Sequence, residues 1–302
     1  VRESSQSLTI GLAVAVLAIS SAAPVIKLAE PFAPETIACL RVTVTALGLW
    51  LVTRDATARA LRLLSGSSRD AMLTIIAGLC LAAHFGAWIA SLSLTTVVRS
   101  VALVSTQPLF AGVFAHVLGD RVSPRLYVGT GIAVVGTLVM VEPGSASAGE
   151  SAWIGDLLAL SGAVTGAVYL AIGRRVHQRL GNALPVEGYF VGVNLVCAAA
   201  MWLFVLARGA ELSPAGVVWS DWLAILWIGL VPGIVGHGLL NAAVRRLPVH
   251  TVSLAVLLEP AGAALFAWLL LAEVPALREG LGAALLIVGV ALGLPRRNSA
   301  GE

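Results

Sequence analysis

The sequence predicts an all-α integral membrane protein of ten transmembrane helices, arranged as two inverted five-helix repeats. Three observations predict it. The 302-residue chain is 58% hydrophobic and 12% charged, with a mean hydropathy of +0.94, which is more apolar side chain than a soluble domain of that length can bury. A helix needs about 20 mostly apolar residues to cross the hydrocarbon, and ten such stretches follow one another along the chain. The chain also resembles itself, five stretches against five.

The stretches run near residues 8–28, 36–53, 71–93, 99–119, 126–142, 153–173, 186–207, 222–244, 249–271 and 278–294. The first has Arg2 before it and SSAAP within it, as a signal peptide would. Its apolar run is long, however, and Lys27 stands at its far end, so it is expected to remain as a span. With the N-terminus inside, the inner face carries Arg2, Arg54, Arg59, Arg62, Arg69, Arg121, Arg125, Arg174, Arg175, Arg179, Arg245, Arg246, Arg296 and Arg297, fourteen of the nineteen basic residues. The outer face carries Arg99, Arg208 and Arg278, while Lys27 and Arg41 lie inside or at the edge of spans. Cytoplasmic loops keep the excess of Lys and Arg, so both termini are expected in the cytoplasm. The net charge of +3 follows from the same bias and gives no reason to invoke nucleic acid. The stretch from Arg54 to Arg69 is expected to be an ordinary basic loop. Lys27, Glu30, Glu35 and Arg41, around the first outer turn, read as snorkelling and surface pairing.

The repeat is visible letter by letter. TQPLFAGVFAHVLGDRV, from Thr106, aligns with LEPAGAALFAWLLLAEV, from Leu258, so that Gln107 meets Glu259 and Pro108 meets Pro260. A one-residue slip then pairs Asp120 with Glu273, Gly129 with Gly282 and Gly136 with Gly289. Upstream, His84 pairs with His237 and Trp88 with Asn241. The units are residues 1–147 and 148–302. Each holds an odd number of spans, so the second enters the membrane upside down relative to the first.

Inverted repeats place a substrate site near the midplane between the halves, and the buried polar letters converge there. Glu259 and Gln107 lie about halfway along their helices, each before a proline. Such a proline removes a backbone hydrogen bond and displaces the carbonyl four residues earlier, here Val256 and Val104, exposing polar backbone that lipid cannot satisfy. His84 and Trp88, and His237 and Asn241, are each four apart and share a helix face; Ser161, Thr165 and Tyr169 form a similar stripe. Thr165 is also placed to return its hydroxyl to its own backbone. Helices 1, 3, 4, 6, 8 and 9 are therefore expected to line a cavity, with Pro24, Pro108 and Pro260 as helix bends. Gly162-x-x-x-Gly166, Gly229-x-x-x-Gly233 and Gly289-x-x-x-Gly293 allow close helix packing.

Three classes of function meet these observations. A secondary transporter uses such a cavity directly. An integral-membrane enzyme acting on lipid or isoprenoid substrates would need clustered Asp for Mg²⁺ or a serine beside a general base, and neither is present. A channel would need a ring of like charges or a carbonyl filter. The cysteines Cys39, Cys80 and Cys197 each fall within a span as small apolar side chains, no Cys/His spacing suits a metal, and no cofactor is expected.

Ten spans, two five-helix units, a Gln-Pro or Glu-Pro block followed by an acid and a glycine-rich last helix, and the spacing of Lys27, Pro34 and Arg41 together resemble the EamA family of the drug/metabolite transporter superfamily. Asp120–Arg121 stands where many members carry Glu-Arg, a departure that touches no feature of the fold. The resemblance, closest to bacterial amino-acid exporters including those for aromatic ones, implies export of small metabolites across a bacterial inner membrane by alternating exposure of the cavity. Its partners would be an amino-acid-like substrate and the bilayer; self-association is left open. In that setting Glu259 would meet a substrate ammonium, and His84, His237, Asn241 and Gln107 either polar group, with Trp88 and Tyr169 stacking on an aromatic side chain.

Overall fold

In a computed structural model, described over residues 5–29, 31–95, 97–117, 123–140, 152–247, 249–272, 274 and 276–293, the chain is all helical. Each of the ten apolar stretches coincides with one helix or with a helix broken in two. Among the described residues seven helices are long and apolar enough to cross a membrane, and three apolar helices, Ser100–Phe114, Pro124–Met140 and Gly280–Gly293, are shorter. Asp120, Arg121, Glu273, Arg2, Arg296 and Arg297 lie outside the described residues.

The first stretch is α1 (Ser5–Ser20) followed by α2 (Ala22–Lys27). Pro24 has no N–H to offer Ser20, and the turn tightens there: the Ser21 amide donates three residues back, to the Ala18 carbonyl at 3.3 Å. The second stretch is α3 (Pro34–Val52), started by a proline in its first turn, where a missing N–H costs nothing. The basic segment after it is not a loop. It forms α4 (Arg54–Ser65), which buries Thr57, Ala60 and Leu64 along one face. That face docks where Gly188 presents no side chain, since a Cβ there would approach the Ala60 methyl to 2.6 Å.

After α5 (Ser68–Leu92), the fourth stretch splits into α6 (Val97–Val104) and α7 (Gln107–Val117) one turn before Pro108; α8 (Pro124–Met140) completes the first half. The second half runs through α9 (Ala152–Leu180) and α10 (Val186–Arg208) to α11 (Trp219–Ile228). A π-helical turn over Gly229–Gly236 then leads into α12 (His237–Arg246). Pro232 lies inside that wide turn, the kind of local widening that re-aims a helix at functional sites. The ninth stretch splits into α13 (Val249–Val256) and α14 (Glu259–Leu271) one turn before Pro260, and α15 (Leu277–Gly293) follows. The two mid-helix breaks are alike: Thr106 donates to Leu103 at 3.1 Å and Leu258 to Ala255 at 3.1 Å, both three residues back.

Packing follows the small residues. Helices α8 and α15 meet backbone on backbone: a Cβ on Gly129 would lie 2.5 Å from the Gly289 carbonyl, and one on Gly136 would lie 2.6 Å from the Gly282 carbonyl. Since the sequence pairs Gly129 with Gly282 and Gly136 with Gly289, exchanging the halves turns each of these contacts into the other. Helix α5 runs along α9, and α10 packs on both α3 and α5. At the basic end of the bundle, Arg179 on α9 grips Asp70 on α5 with two hydrogen bonds of 3.0 and 2.7 Å. Arg174 reaches the carbonyls of Val244 and Leu247 at 3.2 and 2.7 Å. The cysteines are all free thiols.

Candidate functional site

The broken helices surround a cavity of about 40 Å³. It is narrow, with room for the centres of only a few waters. The wall draws on α1, α2, α3, α5, α6, α7, α9, the π-helical turn, α12, α13 and α14. Of the expected site residues, His84, Trp88, Gln107, Tyr169, His237 and Glu259 all line it, as do Val104 and Val256, whose carbonyls the prolines release.

Local structure places each group. Glu259 and Gln107 are the first residues of α14 and α7, immediately after the two breaks. The Ser20 hydroxyl donates to the main-chain carbonyl of Glu259 at 3.3 Å, tying α1 to the break. Among the described residues nothing hydrogen-bonds the Glu259 carboxyl, which is thus not spent on loosened backbone. His84 donates from Nδ1 to the Gly162 carbonyl at 2.8 Å, which in a neutral imidazole leaves Nε2 as an acceptor. Its ring lies 6.5 Å from that of Trp88, nearly parallel, and Phe85 presents an edge contact to His237 at 5.2 Å. This arrangement depends on Gly166, where a Cβ would come within 2.8 Å of His84 Nδ1 and 3.3 Å of Gln107 Oε1.

Two expected residues lie off the wall. The Thr165 hydroxyl bends back to the carbonyls of Ser161 and Gly162, at 2.8 and 3.2 Å. Asn241 is buried beside Tyr169 but gives its amide N–H to the His237 carbonyl of its own helix at 2.7 Å. Pro24, Pro108 and Pro260 sit at the breaks, behind the wall.

Among the wall residues that the sequence does not single out as such are Phe85, Pro232 and Arg41. Phe85 follows His84 and looks like any core aromatic. Pro232 hides inside Gly229-x-x-x-Gly233. Arg41, placed with the surface cluster of the first outer turn, is only 1% exposed and lines the cavity. The signal was available, since an arginine six residues into an apolar span is a functional-site candidate by its cost alone. Around the cavity, buried donors stand unused: Arg41 Nε and Nη1, Trp88 Nε1 and the Tyr169 hydroxyl have no hydrogen-bond partner. Buried polar groups are nearly always satisfied, and these donors have no protein partner. Among the described residues no three His, Cys, Asp or Glu side chains gather as metal ligands.

The model of the EamA-like transporter family matches residues 7–142 and again 153–294. A probable terminal-alkyne amino-acid exporter of Streptantibioticus cattleyicolor is 28% identical over 63% of this chain and 61% of its own length. The uncharacterized transporter YdfC of Bacillus subtilis is 25% identical over 62% of this chain and 59% of its own. The chain thus spans about three fifths of the length of these curated relatives. A solved crystal structure, 21% identical, superposes with a TM-score of 0.77, covering 95% of this chain and 97% of that one; at that identity the likeness is one of fold. With one family domain in each half and apolar helices throughout, the chain is a multi-pass integral membrane protein, and it belongs to the EamA-like transporter family.

Proposed function

We propose that the protein exports amino acids and related small metabolites, aromatic ones among them, from the cytoplasm across a bacterial inner membrane. The cavity between the halves opens alternately to the two sides. The observation that carries this reading is the wall itself, where one cation, one acid and two unpaired ring donors stand among Phe85, Trp88 and Tyr169. An amino acid offers an ammonium for Glu259, with the His84 Nε2 acceptor nearby, and an apolar or aromatic side chain for the rings. The relative named as a probable amino-acid exporter supports the substrate class.

The architecture we propose is ten spans in two inverted halves, residues 1–147 and 148–302, related by a two-fold axis in the membrane plane. The reciprocal contacts of Gly129 with Gly289 and of Gly136 with Gly282 support it, because a two-fold relation makes each contact the image of the other. Both termini are then cytoplasmic. Cysteines placed at Ser67, which caps α5, and at Asn298 are expected to react only from the cytoplasm, and one at Ser147 only from outside; Asn298 and Ser147 lie outside the described residues. Labelling of all three from one side overturns the topology.

Counterflow of labelled amino acids in proteoliposomes tests the function, and one variant tests the wall. Trp88→Ala removes a stacking surface worth about 0.5 to 1.5 kcal/mol beyond lost area. Transport of tryptophan and phenylalanine is expected to fall several-fold more than that of alanine and threonine. Asn241→Ala, which lies behind the wall, is expected to affect both groups alike. A single common factor for all substrates with Trp88→Ala, at normal expression, returns Trp88 to packing between helices.

A further inference from the structure

We propose that Arg41 is the anion anchor of the cavity, holding the carboxylate of the transported molecule. The inference rests on the transporter reading and specifies the chemistry that its substrate carries at one end.

An arginine keeps its charge when buried and brings five N–H donors with it. Arg41 is 1% exposed, and its Nε and Nη1 have no partner. Its guanidinium lies over the Phe85 ring, 4.1 Å from the centroid, and 6.0 Å from that of Trp88. A cation–π contact offsets only part of the cost of taking a guanidinium out of water, and the surrounding groups do not make up the rest. Glu259, on the same wall, forms no ion pair with it among the described residues. The Thr45 hydroxyl is taken up between the carbonyls of Arg41 and Gly229, at 2.9 and 2.8 Å, and the Asn194 amide N–H by the Phe190 carbonyl. The protein therefore positions a cation by ring faces and leaves its hydrogen bonds unmade.

A carboxylate is the ligand group whose geometry and charge answer that arrangement. With Glu259 and the His84 acceptor on the same wall, the cavity has a place for each end of a zwitterion. Carboxylate recognition by Arg41 also explains why the residue is arginine in a span where any apolar residue would pack at lower cost.

The test uses the purified full-length protein and three probes: L-phenylalanine, phenethylamine, which lacks the carboxylate, and 3-phenylpropionate, which lacks the ammonium. Truncating one partner of a buried charge pair weakens binding by about thirty-fold or more. Wild-type protein is expected to bind phenethylamine at least about thirty-fold more weakly than phenylalanine. Arg41→Gln is expected to bind the two alike, through loss of phenylalanine affinity alone. The ligand-free variant is expected to melt no lower than wild type, because it no longer buries an unpaired charge. Unchanged phenylalanine affinity in Arg41→Gln overturns the proposal, as does a lowered melting temperature with the phenylalanine preference intact. Should the variant fail to accumulate, equal wild-type binding of phenylalanine and phenethylamine overturns it without any mutant. If the wild type transports no amino acid yet binds 3-phenylpropionate through Arg41, the amino-acid reading falls and the anion anchor stands. If it binds no carboxylate, both fall.

Discussion

Glu259→Gln is expected to abolish any response of transport to a pH gradient while leaving counterflow at saturating substrate. Glu259 is the acid of the cavity wall, stands at the first position of α14 directly after the break, and has a carboxyl with no hydrogen-bond partner among the described residues. A carboxyl so placed is open to a proton or a substrate ammonium and is not tied down by either helix. The amide keeps its size and shape but cannot exchange a proton at working pH. The main-chain bond from Ser20 survives, because it uses the carbonyl of residue 259 and not its side chain. Counterflow exchanges labelled for unlabelled substrate with no net proton movement, so it separates loss of coupling from loss of the site. The measurement is uptake into proteoliposomes with and without a pH step, beside counterflow in the same vesicles. Gradient-driven transport equal to wild type would make Glu259 a structural group.

The other large effect is expected from a single methyl group. Gly166→Ala puts a Cβ 2.8 Å from His84 Nδ1 and 3.2 Å from Cε1. The atoms that it meets belong to a rigid ring already held by the Gly162 carbonyl, with Trp88 alongside and Gln107 on the other side. The ring cannot swing clear without breaking its bond, and overpacking of this kind costs about 1 to 3 kcal/mol. Transport is expected to fall about ten-fold or more with the protein still inserted. A double-mutant cycle with His84→Ala makes the cause specific. Without the imidazole the methyl has room, so Gly166→Ala is expected to have little further effect on the His84→Ala background. An equal loss on both backgrounds would locate the clash in the helix contact and not at the ring.

A wall that holds an amphipathic zwitterion accounts for both expected outcomes. Breaks at Pro24, Pro108 and Pro260 set the ends of half-helices around the cavity. The bonds between Arg179 and Asp70, and between Arg174 and the carbonyls of Val244 and Leu247, join helices at the end where the basic residues gather. Helices that bend at prolines and are latched at one end are suited to the rocking that alternating exposure requires.

Much of this was written in the sequence, because lipid makes polar letters conspicuous. A carboxylate, two histidines or a proline in the middle of an apolar run needs a partner or a wet surface. The repeat then supplies a register that pairs Gln107 with Glu259 and His84 with His237. The helix breaks at the prolines and six of the wall residues are legible in those letters. The reach of a side chain and the rotation of a helix are not legible there. Thr165 shares a face with Tyr169, yet its short hydroxyl turns back on its own helix while the longer phenol reaches the cavity. Asn241 matches Trp88 in register but is too short to follow it to the wall, and bonds the turn beneath it.

Other outcomes belong to packing between elements far apart in the chain. The Arg54–Arg69 segment begins as a helix because Gly188, more than a hundred residues later, leaves room for Ala60. Arg41 is six residues into its span, where its letter marks a costly group but leaves both snorkelling and burial open to it. Helix α3 is turned by its contacts with α10 and the π-helical turn, Thr45 bonding across to Gly229, and this rotation carries the guanidinium inward over Phe85. Sequence by itself determined the solvent, the apolar helices and the duplication, since each is set by transfer energies and spacing along one chain. Which polar groups share a cavity, and that a cation is among them, was decided only by tertiary structure. The rotation of a helix about its axis is fixed by the neighbours it packs against and not by its own composition.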